Sequence, residues 1–353
     1  MKKILNKLIM VLPLSLFIMM AMTSCNKELP AAKPIWVDPQ LGTTIGDVLN
    51  TDASFSILKA AVVKAGLMDA VSSRTTNFTV FAPNNAAFIA SGIPLAAINA
   101  LPAATVASVV LYHLIPGQRI GSAGIPTTFP NAQMPTSLVF PAPNTSPLVR
   151  FNSFPSKRGT KVWVNDIPVV AADVNVANGV IHVMGAVLNP PSTSLWQAIN
   201  ADVNLTYLVA AIKAADAGGA AGARFQDYLN IPFASFTLMA PNDQAFKNLL
   251  TFLFPAGTPI STALFGLLPK TTLQGIVAYH VLGSRAFSVN LPTIATGVPT
   301  FLSSSLPTAP LLTFDAAQGA KGAKNPTYSK ILTKDKHSYN GVYHIIDQVL
   351  LPL

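Results

Sequence analysis

Apolar residues recur along this chain with two periods, and the change from one period to the other happens twice in the same order. In the first stretch, Ile45, Val48 and Leu49 fall three and four apart, and Ile57, Leu58, Ala61, Val62 and Ala65 continue the spacing. This predicts two helical segments, with Ser54 capping the second and Gly66 ending it. Phe78–Phe81 reads as a short buried strand broken by Ala82-Pro83-Asn84-Asn85, with Asn85 capping the helix that begins at Ala86. A helix over Thr105–Leu114 follows, with Val106, Val109, Val110 and His113 on one face, and Pro116-Gly117 stops it. Short alternating or continuous apolar runs then predict strands at 137–140, 148–151, 161–164, 169–171 and 180–187. The second stretch opens with Ser194 as a cap for Leu195 and Ile199, and continues the apolar face through Leu205, Leu208, Val209 and Ile212. Its later helix runs over 271–281. Helices first and strands last predict an α+β unit around a largely antiparallel sheet or wedge.

The repetition reaches individual residues. FTVFAPNNAAF at 78–88 returns as FTLMAPNDQAF at 236–246, Tyr112-His113 returns as Tyr279-His280, and NGVIHVMGAVLNP at 178–190 returns as NGVYHIIDQVLLP at 340–352. The offsets are 158, 167 and 162 residues. Three blocks in one order at nearly one offset mean a duplicated domain. At about 160 residues each, the copies are long enough for independent cores. Only Pro190-Pro191 and Ser192 separate them, so the two domains are expected to touch at a preferred angle. Residues 216–223 (DAGGAAGA) have no counterpart in the first copy and read as a flexible insertion.

These blocks resemble the fasciclin (FAS1) domain family. The resemblance covers roughly residues 37–353, with small departures at Met239, where the family has an aromatic, and at Gly185, where it has an acid. It implies two tandem fasciclin-like domains, each a mostly antiparallel β-wedge or sandwich with flanking helices, over 37–191 and 192–353. It also implies adhesion contacts near the Tyr-His pair and near an acid-apolar pair just before the closing block. The matching residues are Tyr112, His113, Asp173 and Val174; in the second copy the pair reads Asp335-Lys336. Structure is the alternative role for all four.

The N-terminus adds a targeting signal. Lys2, Lys3 and Lys7 precede a short apolar stretch, Leu8–Met22, that ends in small residues before Cys25. This resembles a bacterial lipobox, which implies a signal peptide over 1–24, lipid attachment at Cys25 and a tether over 25–36 with Pro30 and Pro34 keeping it extended. Cys25 is the single cysteine, so no internal disulfide or cysteine metal cluster is available. The expected location is the bacterial envelope, in the outer membrane, with the anchor as the membrane partner.

Charge narrows the partners. Without residues 1–24, which hold three lysines and no acid, the net charge of +9 falls to +6, divided evenly between the copies. That is no nucleic-acid footprint. Charged residues make up 10% of the chain, leaving a weakly charged surface suited to a membrane or matrix. Lys321, Lys324, Lys330, Lys334 and Lys336 form the one local basic feature, readable as a patch for acidic glycan or headgroups or as a lysine-protected strand edge.

Candidate chemistry is thin. His113, His182, His280 and His344 belong to the repeat and read as packed, hydrogen-bonded residues, while the unrepeated His337 is expected to be solvated. No Gly-x-Ser-x-Gly elbow, His-Glu-x-x-His helix, phosphate loop or dinucleotide fingerprint is present, so no catalytic residue, metal site or cofactor is assigned. The expected function is non-enzymatic adhesion or interaction with an extracellular protein or glycan. A glycan- or lipid-binding accessory role in uptake is the alternative, with Trp163 as the residue to test, and a hydrolase with an unrecognised site ranks last.

Overall fold

The computed structural model describes residues 42–127, 129, 131–141 and 148–352. The signal region, Cys25 and the tether lie outside these residues. Thr43–Leu353 forms one unit, within which the duplication is visible strand by strand.

In the first repeat the strands are β1 (Phe78–Pro83), β2 (Leu114–Pro116), β3 (Met134–Val139), β4 (Arg150–Ser153), β5 (Pro155–Arg158), β6 (Lys161–Val164), β7 (Ile167–Val176) and β8 (Gly179–Met184). In the second they are β9 (Phe236–Pro241), β10 (Val281–Leu282), β11 (Gly297–Val298), β12 (Leu312–Phe314), β13 (Ala320–Lys321), β14 (Ile331–Ser338) and β15 (Gly341–Ile346). The main sheets have the orders β2-β1-β8-β7, extended by β6-β5, and β10-β9-β15-β14. In both, the central pair is parallel and its neighbours are antiparallel. Registers also agree: Phe78 faces Gly179 as Phe236 faces Gly341. A Cβ on Gly179 would lie 2.1 Å from the Phe78 carbonyl oxygen, so the Asn-Gly step of the closing block permits the close approach of β1 and β8.

Alternation along these strands divides each core in two. Phe78, Val80 and Ala82 of β1 pack with the helices, together with Ile181 of β8. Phe81 and Met184 pack on the other face with Tyr112 and Leu188. Phe236, Leu238 and Ala240 repeat the first arrangement and Met239 the second. With both faces covered, the strands read as continuous apolar runs.

The helix boundaries shift from the sequence expectation for identifiable reasons. The helix expected over Thr105–Leu114 spans Ala103–Tyr112, and Leu114 enters β2 instead. Asp52, not Ser54, caps the turn Ala53–Phe55 that leads into the helix Ser56–Lys64. Asn84, not Asn85, caps the helix Asn85–Ala90, by accepting from the Ala87 N–H at 2.9 Å. Asn85 serves another helix: its side-chain oxygen accepts from the Ile57 N–H and its amide donates to Ala53 O and Ser56 Oγ. In the second copy Asn242 caps its own helix, while Asp243 accepts from Tyr207 N–H and Thr206 Oγ1. The Asn-Asn/Asp step therefore fastens two helices to the end of one strand. The insertion is also more fixed than expected at its start. Asp216 is buried and its carboxylate accepts from the N–H groups of Phe225 and Gln226.

The repeats meet directly. Phe154 of the first packs with Phe287 and Val342 of the second. Arg158 donates to Leu291 O at 2.7 Å, and the Asn131 N–H donates to Arg285 O. Phe140 lies edge-on to Tyr339. His337, expected in solvent, is half-buried here, edge-on to Phe154 and Phe287. Its burial follows from the docking of the repeats, which β14 alone does not disclose.

Candidate functional site

The repeated polar residues all have interior partners. His113 donates from Nδ1 to Val109 O at 2.7 Å and accepts at Nε2 from the Leu188 N–H at 2.9 Å. His280 does the same with Ile276 O and the Leu350 N–H. Each ring links the last turn of a helix to the chain after the closing strand. A ring that donates at one nitrogen and accepts at the other is neutral, and burial pushes both pKa values down to about 4. His182 and His344 use the opposite tautomer: Nε2 donates to Ile120 O or Ala286 O, and Nδ1 accepts from the Asp173 or Asp335 N–H. Burial lowers these two pKa values as well. Neither nitrogen of any repeated histidine is left for a substrate or a metal ion. Among the described residues, no cluster of three or more His, Cys, Asp or Glu is arranged for a metal.

This geometry corrects part of what the resemblance implies. Tyr112 and His113 are 0% and 2% exposed, so a partner cannot touch their side chains in this fold. The Tyr112 hydroxyl donates to Asn152 O. Asp173 and Val174 do reach the surface, on β7. The Asp173 carboxylate, however, accepts from the N–H and hydroxyl of Ser122, which holds it below the usual carboxylate range. Asp335 binds Ser288 in the same way, and both aspartates have positive φ at a bulge, 63° and 59°. Asp and Asn tolerate that region better than other non-glycine residues. The pair thus sets a strand bulge, with Val174 left as its exposed apolar member.

Three of the five lysines have side-chain partners close by. Lys336 is paired with Asp202 at 2.8 Å and lies over the Tyr343 ring. Lys334 donates to Gln318 Oε1, and Lys321 donates to Pro326 O and lies over Tyr328. Lys330 is exposed beside Asp347, which accepts from its backbone N–H. Lys334 and Lys336 belong to β14, which is the edge of its sheet, so the edge-protecting reading matches their position. Trp163 is half-buried in β6.

Lys324 stands apart, at the rim of an apolar groove of about 870 Å³ on the second repeat. Three elements build it. The helix Asp243–Leu253 turns Phe246 and Leu250 into the core and leaves Leu249, Phe252 and Leu253 to line the groove. The helix Lys270–Tyr279 buries Leu273, Ile276 and Val277 and lines the groove with Thr271, Thr272 and Gly275. Leu302 and Leu306, in and just after the helix Phe301–Ser305, close the far side with Pro310 and Leu351. Phe252 is 85% exposed. The first repeat's counterpart of the Asp243 helix has 6 residues against 11, so the turn carrying Leu249, Phe252 and Leu253 belongs to the second repeat. Sequence reasoning missed this site. Its signals were the apolar run Leu249–Phe254 and the glycine within the 271–281 helix.

Comparison with known proteins returns the same duplication. The Fasciclin domain model matches residues 53–190 and again 204–352. Protein sll1483 of Synechocystis sp. is 34% identical over 160 residues, 42% of this chain and 74% of that protein. Transforming growth factor-beta-induced protein ig-h3 of Sus scrofa is 35% identical over 162 residues, 44% of this chain, and periostin of Homo sapiens is 28% identical over 191 residues, 54% of this chain. The chain spans 20% of the length of each of these two. A solved FAS1 domain pair from the insect cell adhesion molecule fasciclin I aligns over 84% of this chain and 96% of that one, with a TM-score of 0.36 and 19% identity. Among the described residues no helix is long and apolar enough to cross a membrane.

Proposed function

This chain belongs to the fasciclin domain family, carrying its domain twice, and from that premise we propose that it is a non-enzymatic interaction protein acting in adhesion at the bacterial envelope, held there by lipid on Cys25. The observation that supports binding is the groove of the second repeat. A stable fold covers its large apolar side chains, and apolar surface left open marks a contact site. Leu249, Phe252 and Leu306 offer such surface in a recess of ligand size. The histidines speak against catalysis, because a ring saturated at both nitrogens neither accepts nor delivers a proton without breaking the fold. Tethering adds avidity, since many chains on one surface sum weak contacts.

A second reading, binding of an acyl-bearing ligand for uptake, is favoured over glycan binding by the same recess. Its walls are mostly aliphatic, with Phe252 and three threonines among them, no tryptophan lines it among the described residues, and Lys324 complements an anionic headgroup.

The experiment compares cells displaying the wild-type chain with cells displaying Gly275→Phe, which fills the groove from a helix position where an added Cβ meets nothing within 4 Å. Attachment to matrix and envelope preparations is expected to fall at least about tenfold, the loss of ~1.4 kcal/mol or more of contact. The Cys25→Ser variant is expected to leave the cell surface. Retention of a long-chain fatty acid by the wild type alone would select the second reading. Unchanged attachment by a folded Gly275→Phe chain, or turnover in a hydrolase screen, would overturn the proposal.

A further inference from the structure

Among the described residues, Arg285 is a buried cation without a counterion. It is 3% exposed, with its guanidinium carbon 4.3 Å from the centre of the Phe154 ring. One terminal nitrogen donates to His337 Nε2 and the other to Tyr339 O, both at 3.0 Å, while Nε has no partner. Among the described residues no carboxylate forms an ion pair with it. Burial lowers its pKa to about 9, so the group is still charged at neutral pH. An isolated buried charge costs far more than a buried neutral group.

The first repeat shows why the charge is there. Arg119 precedes Ile120 as Arg285 precedes Ala286, and Ile120 and Ala286 are the residues whose carbonyls accept from the repeated histidines. Arg119 donates to Val176 O and Ala177 O at the turn before its closing strand, as Arg285 does to Tyr339 O. Arg119 keeps contact with solvent. Arg285 lost it when Phe154 of the first repeat packed over it.

Beside Arg285 lies a cavity of about 60 Å³ between the repeats. Gln133, Asn152, Phe140 and Phe233 contribute to its walls, and a second cation, Arg150, also lines it. Arg150 donates to the carbonyls of Thr136 and Ser137, which satisfy its hydrogen bonds without neutralising it. Among the described residues no acid lines this space. Two arginines among its walls favour an anion there. The space exceeds the ~10–15 Å³ that a single water molecule needs, so it admits a small monatomic anion.

We propose that the junction of the two repeats binds one small monovalent anion of the halide class, held between Arg285 and Arg150, which neutralises the buried charge and fixes the repeats against each other. The site is independent of the groove.

The test is thermal unfolding of the purified protein at constant ionic strength, with chloride or bromide replacing bulky gluconate. Chloride is expected to raise Tm saturably by about 2–4 °C. Arg119→Gln is expected to keep that response and Arg285→Gln to lose it. Crystals grown in bromide should show an anomalous peak in the cavity. Equal Tm in gluconate and chloride, or water alone in the cavity at high bromide, would overturn the proposal. Both of those readouts use the wild-type protein, so they stand even where Arg285→Gln fails to fold.

Discussion

Asn178 and Asn340 occupy the same point of the two repeats and make the same bonds. Each side-chain oxygen accepts from the first N–H of a helix, at Ile45 or Leu195, and each amide donates to two carbonyls, Val71 and Ser73 or Leu229 and Ile231. The helices Asn85–Ala90 and Asp243–Leu253 also occupy equivalent points, yet one is short and the other extends to wall a groove. Duplication has kept the buried polar bonds and released the surface. A buried amide that fastens three chain segments cannot change without leaving those segments unpaired. An exposed turn meets no such constraint. Binding is therefore sought where the copies differ, and stability where they agree.

The sharpest break of this comparison is at the shared asparagines. Asn178→Ala and Asn340→Ala are each expected to cost about 3–5 kcal/mol, three hydrogen bonds plus stranded buried groups, measured by denaturant unfolding. A loss in one repeat only would show that the copies no longer share a scaffold.

Next in size is the response to acid. The folded pKa values of His113 and His280, about 4, lie below the ordinary value of 6.5. The unfolded chain therefore takes up protons first as pH falls, and stability drops between about 6.5 and 4 by on the order of 3 kcal/mol per histidine. Aspartates with lowered pKa, Asp173 and Asp202 among them, add a further loss below that window. Unfolding free energies from pH 7 to 4 check the slope, and a flat profile would place these rings in solvent.

The smallest effect is on the surface that differs. Gly275→Ala is expected to add about 0.5–1 kcal/mol, because alanine favours a helix interior and the site is open. It should also leave binding intact, in contrast to Gly275→Phe. A melting curve and an attachment assay on both variants separate helix stability from occlusion.

The scaffold was readable from sequence because its blocks recur: the order of elements, the strand run at 78–81, the first part of the run at 180–187, which ends at Met184, and the cap at Ser194 follow local rules. Asn85 shows where those rules stop. Two adjacent good capping residues do not reveal that the second serves a helix starting 29 residues earlier. His337 shows the same limit, since only the other repeat buries it. Tyr112 and His113 were offered as contacts by resemblance and lie in the core, because a shared motif records what is kept and not whether it is exposed. The groove joins positions 249, 275, 306 and 351, which no local pattern associates.

The central claim is that the repeated residues hold shape and carry no reaction. Long-range ¹H–¹⁵N spectra of the histidine rings test it most directly. Neutral rings are expected, with the proton on Nδ1 in His113 and His280 and on Nε2 in His182 and His344, unchanged by zinc, and with His113 and His280 unprotonated down to about pH 5. Titration of these rings near 6.5, or a shift of any of them on adding metal, would contradict it.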